Sequence, residues 1–383
     1  MSADAAAAAD RRARALLTRI AEPDRELSQR VLDDGAVSAV KGLRDGTLKV
    51  KNALHWQARV AGARPERDLE AGRACGARFI VPGDDEWPSA LDELAYLDDE
   101  YGSVPYGLWV RGDLDLRAAF ARSVAIVGAR ASTAYGEFVA AEFALGAAER
   151  GWTVVSGGAY GIDGAAHRGA ISGGGLTVAV LACGVDVAYP RGHSALIERV
   201  ASAGLVISEW PPGCAPMRHR FLVRNRVIAA LTAGTVVVEA ASRSGSLSTA
   251  NRARDLGRHV MSAPGPITSA MSAGANALLK QPWASCVTSA ADVIELVGAI
   301  GDDLAPPLEV RHDPRDDLDA VARRVLDAVP VRTPVGPARI ASAAGVELRQ
   351  VTRALGGLAA RGLVTRTDHG WRLPPRGAAG GGR

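Results

Sequence analysis

The feature that most constrains the fold is a series of short apolar runs set between helix-length segments. The runs fall at 124–127, 153–156, 177–182, 205–208, 235–239 and 259–262, and stretches such as 137–150 and 247–257 have helix length. A strand that is apolar on both faces must be covered on both, and parallel neighbours need a crossover, usually a helix. The pattern therefore predicts an α/β core: a Rossmann-like, doubly wound, mostly parallel sheet from about 105 to 300, with a lead-in from 76.

The flanks differ from this core. Residues 10–65 alternate apolar and charged positions at helical spacing, broken by Gly35, Gly42 and Gly46, which predicts a small helical domain over 1–75. Residues 301–318, GDDLAPPLEVRHDPRDDL, read as a linker. After it, helices are expected at 319–328, 337–343 and 348–361, followed by a hairpin-like end through Gly362, Val364 and Trp371. Three helices and a short β ribbon describe a winged-helix-like domain over 319–373, and the Gly-rich residues 374–383 read as a disordered tail.

Composition removes several function classes. The 383 residues include four cysteines, Cys75, Cys183, Cys214 and Cys286, with no CxxC pair and no regular spacing, so neither a metal site nor a disulfide framework is expected. Early arginines are not followed by an apolar leader core, and no long uncharged apolar run occurs, so a cytoplasmic protein with no membrane partner is expected. The net charge of +3 hides an uneven distribution: residues 81–100 carry eight Asp or Glu and no Lys or Arg, whereas 218–226 hold four Arg and one His.

Loops at the strand ends carry the candidate chemistry. The first run ends in VGAR (127–130), where small residues let backbone amides and a helix N-terminus approach an anion, and Arg130 sits at the strand's carboxyl end. Neither GxGxxG nor GxxxxGK[ST] is present, so no nucleotide cofactor is expected. The second run ends in SGGAYGIDGAAH (156–167), a loop of amides in which Asp163 is placed to cap the next helix and His167 to make a neutral hydrogen bond. Ser244, Gly245 and Ser246 form a third small-residue turn before a helix. The richest segment is RHRFLVRNR (218–226): cations for phosphates are interleaved with an aromatic face on which any base can stack. Arg218 and Phe221 lead this set, and one of Arg224 and Arg226 is a candidate for a buried ion pair that holds the loop.

Taken in order, VGAR, SGGAYGIDGAAH, ACGVDVAYP, SEWPPG, RHRFLVRNRVIAAL, SGSLSTA, APG and GANALL resemble the central domain of the DNA-processing protein A (DprA/Smf) family, over about residues 109–297. The resemblance implies a sterile-alpha-motif-like N-terminal domain and a winged-helix-like C-terminal one. It implies a non-enzymatic recombination mediator that binds and protects single-stranded DNA and loads RecA during natural transformation or related recombination, with homodimerisation. Family contacts map onto Arg130, Gly161, Arg218, Phe221, Arg224 and Ser244, Gly245 and Ser246. Arg218 stands where the family often has Lys, Tyr160 where it commonly has Arg, and Gly158 where it has Leu.

Two other features of the sequence point elsewhere. Glu239, late in the sheet, invites comparison with phosphoribohydrolases of the cytokinin-activating type, but the stretch before it, LTAGT (231–235), lacks their double glycine. Arg349, Arg353 and Arg361 on the third C-terminal helix invite a transcription regulator facing duplex DNA.

Overall fold

A computed structural model describes residues 2–97, 103–299, 303–304 and 315–374. The chain divides into two compact units, Met1–Pro306 and Pro307–Arg383.

In the first unit, nine strands form one sheet: β1 Ala77–Ile80, β2 Leu108–Arg111, β3 Ser123–Val127, β4 Thr153–Ser156, β5 Thr177–Leu181, β6 Leu205–Ser208, β7 Gly234–Val237, β8 His259–Ser262 and β9 Ala284–Cys286. Their order is β1-β2-β6-β5-β4-β3-β7-β8-β9. All pairs from β6 through β9 are parallel, whereas β2 runs antiparallel to β6 and β1 antiparallel to β2. The α/β core expected from the alternating pattern is therefore present, and it is wider than expected. The lead-in supplies β1 and the segment before the first expected run supplies β2, which together extend one edge, and β9 extends the other.

Both faces of the parallel strands are buried, which is why their sequences are continuously apolar. On one face Ala125, Val127, Val155, Val180 and Val237 pack against Val227, Ile228 and Ala250. On the other, Val124, Ile126, Val154 and Val236 pack against Ala140, Ala144, Ala166 and Val293. The run expected at 235–239 is a strand to Val237, and beyond it Glu239 is buried and accepts hydrogen bonds from Thr133.

Five helices precede the sheet: Ala3–Ile20, Arg25–Asp34, Ala36–Asp45, Ala53–Val60 and Pro65–Ala74. Leu16, Leu17, Ile20, Leu27, Leu43 and Trp56 form their shared core. The first helix also reaches the sheet, where Ala15 packs with Phe79 and Trp109, and Arg11 donates to the Phe79 carbonyl and pairs with Asp84 at 2.7 Å.

The second unit contains helices Ala320–Ala328, Pro337–Ala344 and Leu348–Ala360 and the antiparallel pair β10 Thr365–Thr367 and β11 Gly370–Arg372. Val335 bridges to Trp371 beside that pair. Residues 301–302, 305–314 and 375–383, which include most of the expected linker and almost all of the expected tail, lie outside the described residues. Among the described residues, no helix is long and apolar enough to cross a membrane, and no cluster of His, Cys, Asp and Glu is arranged to hold a metal ion.

Candidate nucleic-acid interface

β3 is where the sheet changes direction, with β4, β5 and β6 added on one side and β7, β8 and β9 on the other. Loops leaving the carboxyl ends of β3 and β7 diverge at such a point and leave a crevice between them. Here the crevice is a cavity of about 930 Å³. Its walls come from the loop after β3, the loop after β4, Tyr189, the first half of helix Arg218–Leu231, and residues 241–246 after β7.

The cavity is strongly cationic. Arg130, Arg218, Arg224 and Arg243 line it, against one carboxylate, Asp163. Arg130, Arg218 and Arg243 are exposed, and none has a carboxylate partner among the described residues. Asp163 is buried, and it accepts hydrogen bonds from the amides of Gly157, at 3.1 Å, and Ala159, at 3.4 Å. Burial raises its pKa, opposed by Arg224 and these amides. The expected helix cap is thus a loop brace, and two of the amides expected to face an anion are used internally. Gly161 occupies the N-cap position instead.

Aromatic surface lies beside the cations. The Arg130 guanidinium carbon is 4.4 Å from the centroid of the Phe221 ring, and the Phe221 and Tyr189 centroids are 5.5 Å apart. Tyr160, from the β4 loop, is exposed and stacks edge-on against His193 at 4.8 Å.

The other cations of 218–226 are structural. Arg224 is buried and donates to the carbonyls of Gly157, at 2.9 Å, and Val180. Burial, opposed by Asp163 and reinforced by the charge of Arg130, brings its pKa down to about 10, so it remains a cation at neutral pH. Arg226 is the buried ion pair: it meets both carboxylate oxygens of Glu209, at 2.5 and 2.7 Å, and donates to Ser103. Arg220 binds Glu22 at 2.6 Å, and the indole N–H of Trp210 donates to the same carboxylate. Burial alone would raise the Glu22 pKa, but these hydrogen bonds and the Arg220 charge hold it below the ordinary value. Arg218 and Phe221 therefore project from a helix start anchored on the N-terminal helices.

Gly161 has φ +74°, and a Cβ there would lie 2.4 Å from the Ala129 carbonyl oxygen and 2.7 Å from that of Arg130. Only glycine lets the second loop close on the first in this way. The Ser244 and Ser246 hydroxyls bond each other at 2.8 Å, while Asn225 donates to the Gly245 carbonyl at 3.1 Å. The structure thus brings Arg130, Arg218, Phe221, Arg224, Ser244, Gly245 and Ser246 to one cavity, with Gly161 packed behind the loop of Arg130. Arg243 and Tyr189 complete the wall and were not singled out by sequence. Their signal was position alone, since each follows a strand end.

Other candidates for chemistry are accounted for internally. Glu239 is fully buried, and its two oxygens accept from the amide and hydroxyl of Thr133, at 2.8 and 2.7 Å, at the start of helix Ala134–Glu149. His167 is buried against the Thr177 hydroxyl at 2.7 Å, and burial, followed by the charges of His193 and Arg224, lowers its pKa to about 3, so it is neutral as expected. Burial pushes the Cys183 thiol up to about 12, which leaves it unreactive.

A sequence model of the family described as "DNA recombination-mediator protein A" matches residues 78–298. A relative described as a DNA processing protein DprA, from Mycobacterium tuberculosis, is 45% identical over 96% of this chain and 95% of its own. The DNA processing protein DprA of Streptococcus pneumoniae is 41% identical over 54% of this chain and 72% of its own. An X-ray structure of DNA processing protein A from Streptococcus pneumoniae superposes with a TM-score of 0.62 at 30% identity, covering 73% of this chain and 95% of that one.

Proposed function

The chain belongs to the DNA recombination-mediator protein A family, and from that premise we propose that it holds single-stranded DNA in the crevice at the ends of β3 and β7. One observation carries this reading: the exposed guanidiniums of Arg130, Arg218 and Arg243, which have no carboxylate partner among the described residues, surround a cavity that also presents the Phe221 and Tyr189 rings. A single strand offers a phosphate at every step and bases whose π-faces are free, and cations beside aromatic rings meet both without reading sequence. A duplex buries those faces by stacking. Gly161, Arg224, Ser244, Gly245 and Ser246 shape the crevice and bring backbone polar groups to its rim.

On this reading the protein works in the cytoplasm as a homodimer that shields incoming single strands and passes them to the RecA recombinase in natural transformation or a related recombination task. The C-terminal unit is a winged-helix-like domain. No covalent step is required. The internal hydrogen bonding of Glu239 argues against a phosphoribohydrolase, since a catalytic carboxylate must reach the substrate, and this one is occupied by Thr133 and does not line the cavity.

The test is a RecA-loading assay on single strands already coated with single-strand-binding protein. Addition of this protein accelerates RecA filament formation, and the Arg130→Ala/Arg218→Ala variant does not. Equal filament formation with and without the protein contradicts the proposal.

A further inference from the structure

Helix Leu348–Ala360 in the C-terminal unit has one face that the unit explains and one that it does not. Val351, Leu355 and Leu358 are buried with Val325, Leu326 and Ile340 in the unit's core. Arg349, Gln350, Thr352, Arg353, Gly356 and Gly357 are exposed on the opposite side. The helix contains no Asp or Glu, and Arg349 and Arg353, one turn apart, have no hydrogen-bond or ion-pair partner among the described residues. Arg361, grouped with them by sequence, is directed elsewhere, toward the Asp317 carbonyl at 3.5 Å. The cationic face is therefore defined by Arg349 and Arg353.

The two glycines are the second observation. Glycine is a poor helix former, and adjacent glycines inside a solvent-facing helix weaken it. A Cβ at Gly356 or Gly357 would meet nothing within 4 Å, so no packing inside the unit requires them. An external surface pressed against the helix backbone would. The preceding helix Pro337–Ala344 ends at Gly345, in the left-handed region at φ +59°, and a three-residue turn leads into Leu348–Ala360. Two helices joined by such a turn present the second one outward, and the major groove of a DNA duplex admits a helix of this size. Its polyanionic walls complement the arginines of a helix that itself carries no Asp or Glu, with Asp317 and Asp319 bordering the same hollow as Gln350, Arg353 and Gly357. The adjoining hairpin adds the exposed Arg366, 5.9 Å from the Trp371 ring.

We propose that the C-terminal unit binds duplex DNA, with Arg349, Gln350, Thr352 and Arg353 toward the groove and Gly356–Gly357 letting the helix backbone approach the duplex closely. This binding is separate from the single-strand crevice and does not depend on it.

The test uses the full chain, measuring anisotropy of a labelled duplex of about 20 base pairs and, separately, of a labelled oligothymidine. Arg349→Ala/Arg353→Ala weakens duplex binding roughly tenfold or more and leaves oligothymidine affinity unchanged. Gly356→Gln/Gly357→Gln raises thermal stability, because Gln is the better helix former, yet weakens duplex binding. The opposite directions of these two readouts separate a blocked docking surface from a damaged fold. Unchanged duplex affinity in both variants, as expected if the face binds a partner protein instead, overturns the proposal. So does a parallel drop in duplex and single-strand affinity.

Discussion

The guanidinium carbon of Arg130 sits 4.4 Å from the centroid of the Phe221 ring, joining the loop after β3 to the first turn of helix Arg218–Leu231. This contact fixes a cation and a π-face side by side at the sheet's switch point. It also orders the Arg130 side chain before any ligand arrives, reducing the entropy cost of binding.

Replacing Phe221 tests the stacking half of this pair. Phe221→Ala is expected to cost about 1–3 kcal/mol of oligothymidine affinity, and Phe221→Trp to retain it, since any large π-face serves. Anisotropy titrations at fixed salt measure both. Equal affinity for wild type and Phe221→Ala would remove Phe221 from the interface.

Arg224 should behave differently from Arg218, although both belong to one helix. Its guanidinium is enclosed and supports the carbonyls of Gly157 and Val180. A Cβ at Gly157 would lie 2.3 Å from that guanidinium, so the loop is built around it. Arg224→Ala is expected to lose roughly 3 kcal/mol of stability by stranding buried acceptors. Thermal unfolding should show a lower Tm for Arg224→Ala and an unchanged one for Arg218→Ala.

Glu239 yields a contrasting prediction. Removal of both Thr133 hydrogen bonds in Glu239→Ala should cost about 2–4 kcal/mol of stability. Affinity for single strands should change little, because Glu239 does not line the cavity. Release of free base from nucleoside monophosphates by wild type, abolished in Glu239→Gln, would favour the phosphoribohydrolase reading instead.

His167 makes stability depend on pH. Its pKa is about 3 when folded, against an ordinary value near 6.5. Between these values the unfolded chain binds a proton that the folded chain does not. Stability is therefore full above about pH 6.5 and declines as pH falls toward 3, by up to about 1.4 kcal/mol per unit from this group. Comparing chemical denaturation at pH 7 and pH 5, wild type should lose about 2 kcal/mol more than His167→Asn, whose side chain does not titrate. An equal decline in both would show that His167 is not the group responsible.

Six of the nine strands were legible because each is apolar on both faces, and that pattern survives in sequence. β1, β2 and β9 were not. β1 and β2 are short antiparallel additions ahead of the first expected run, and β9, Ala-Ser-Cys, carries no apolar run and pairs only with β8 among the described strands. Within the site, Arg130, Arg218 and Phe221 could be read from local chemistry. Arg243 and Tyr189 could not, because their nearness to Arg130 comes from the placement of β7 beside β3 and from the path of the loop after β5. The division of labour inside RHRFLVRNR was half visible. The apolar neighbours Val223, Val227 and Ile228 mark a buried stretch, but that Arg224 supports two carbonyls while Arg226 pairs with Glu209 is decided by residues distant in sequence.

If the arginines at the switch point hold a DNA strand through its phosphates, oligothymidine affinity must depend on salt. Wild type should show log Kd rising linearly with log salt, and Arg130→Ala/Arg218→Ala/Arg243→Ala should bind more weakly with a slope reduced by about 0.7 for each phosphate no longer neutralised. An affinity and slope in the triple variant equal to those of wild type would contradict the account.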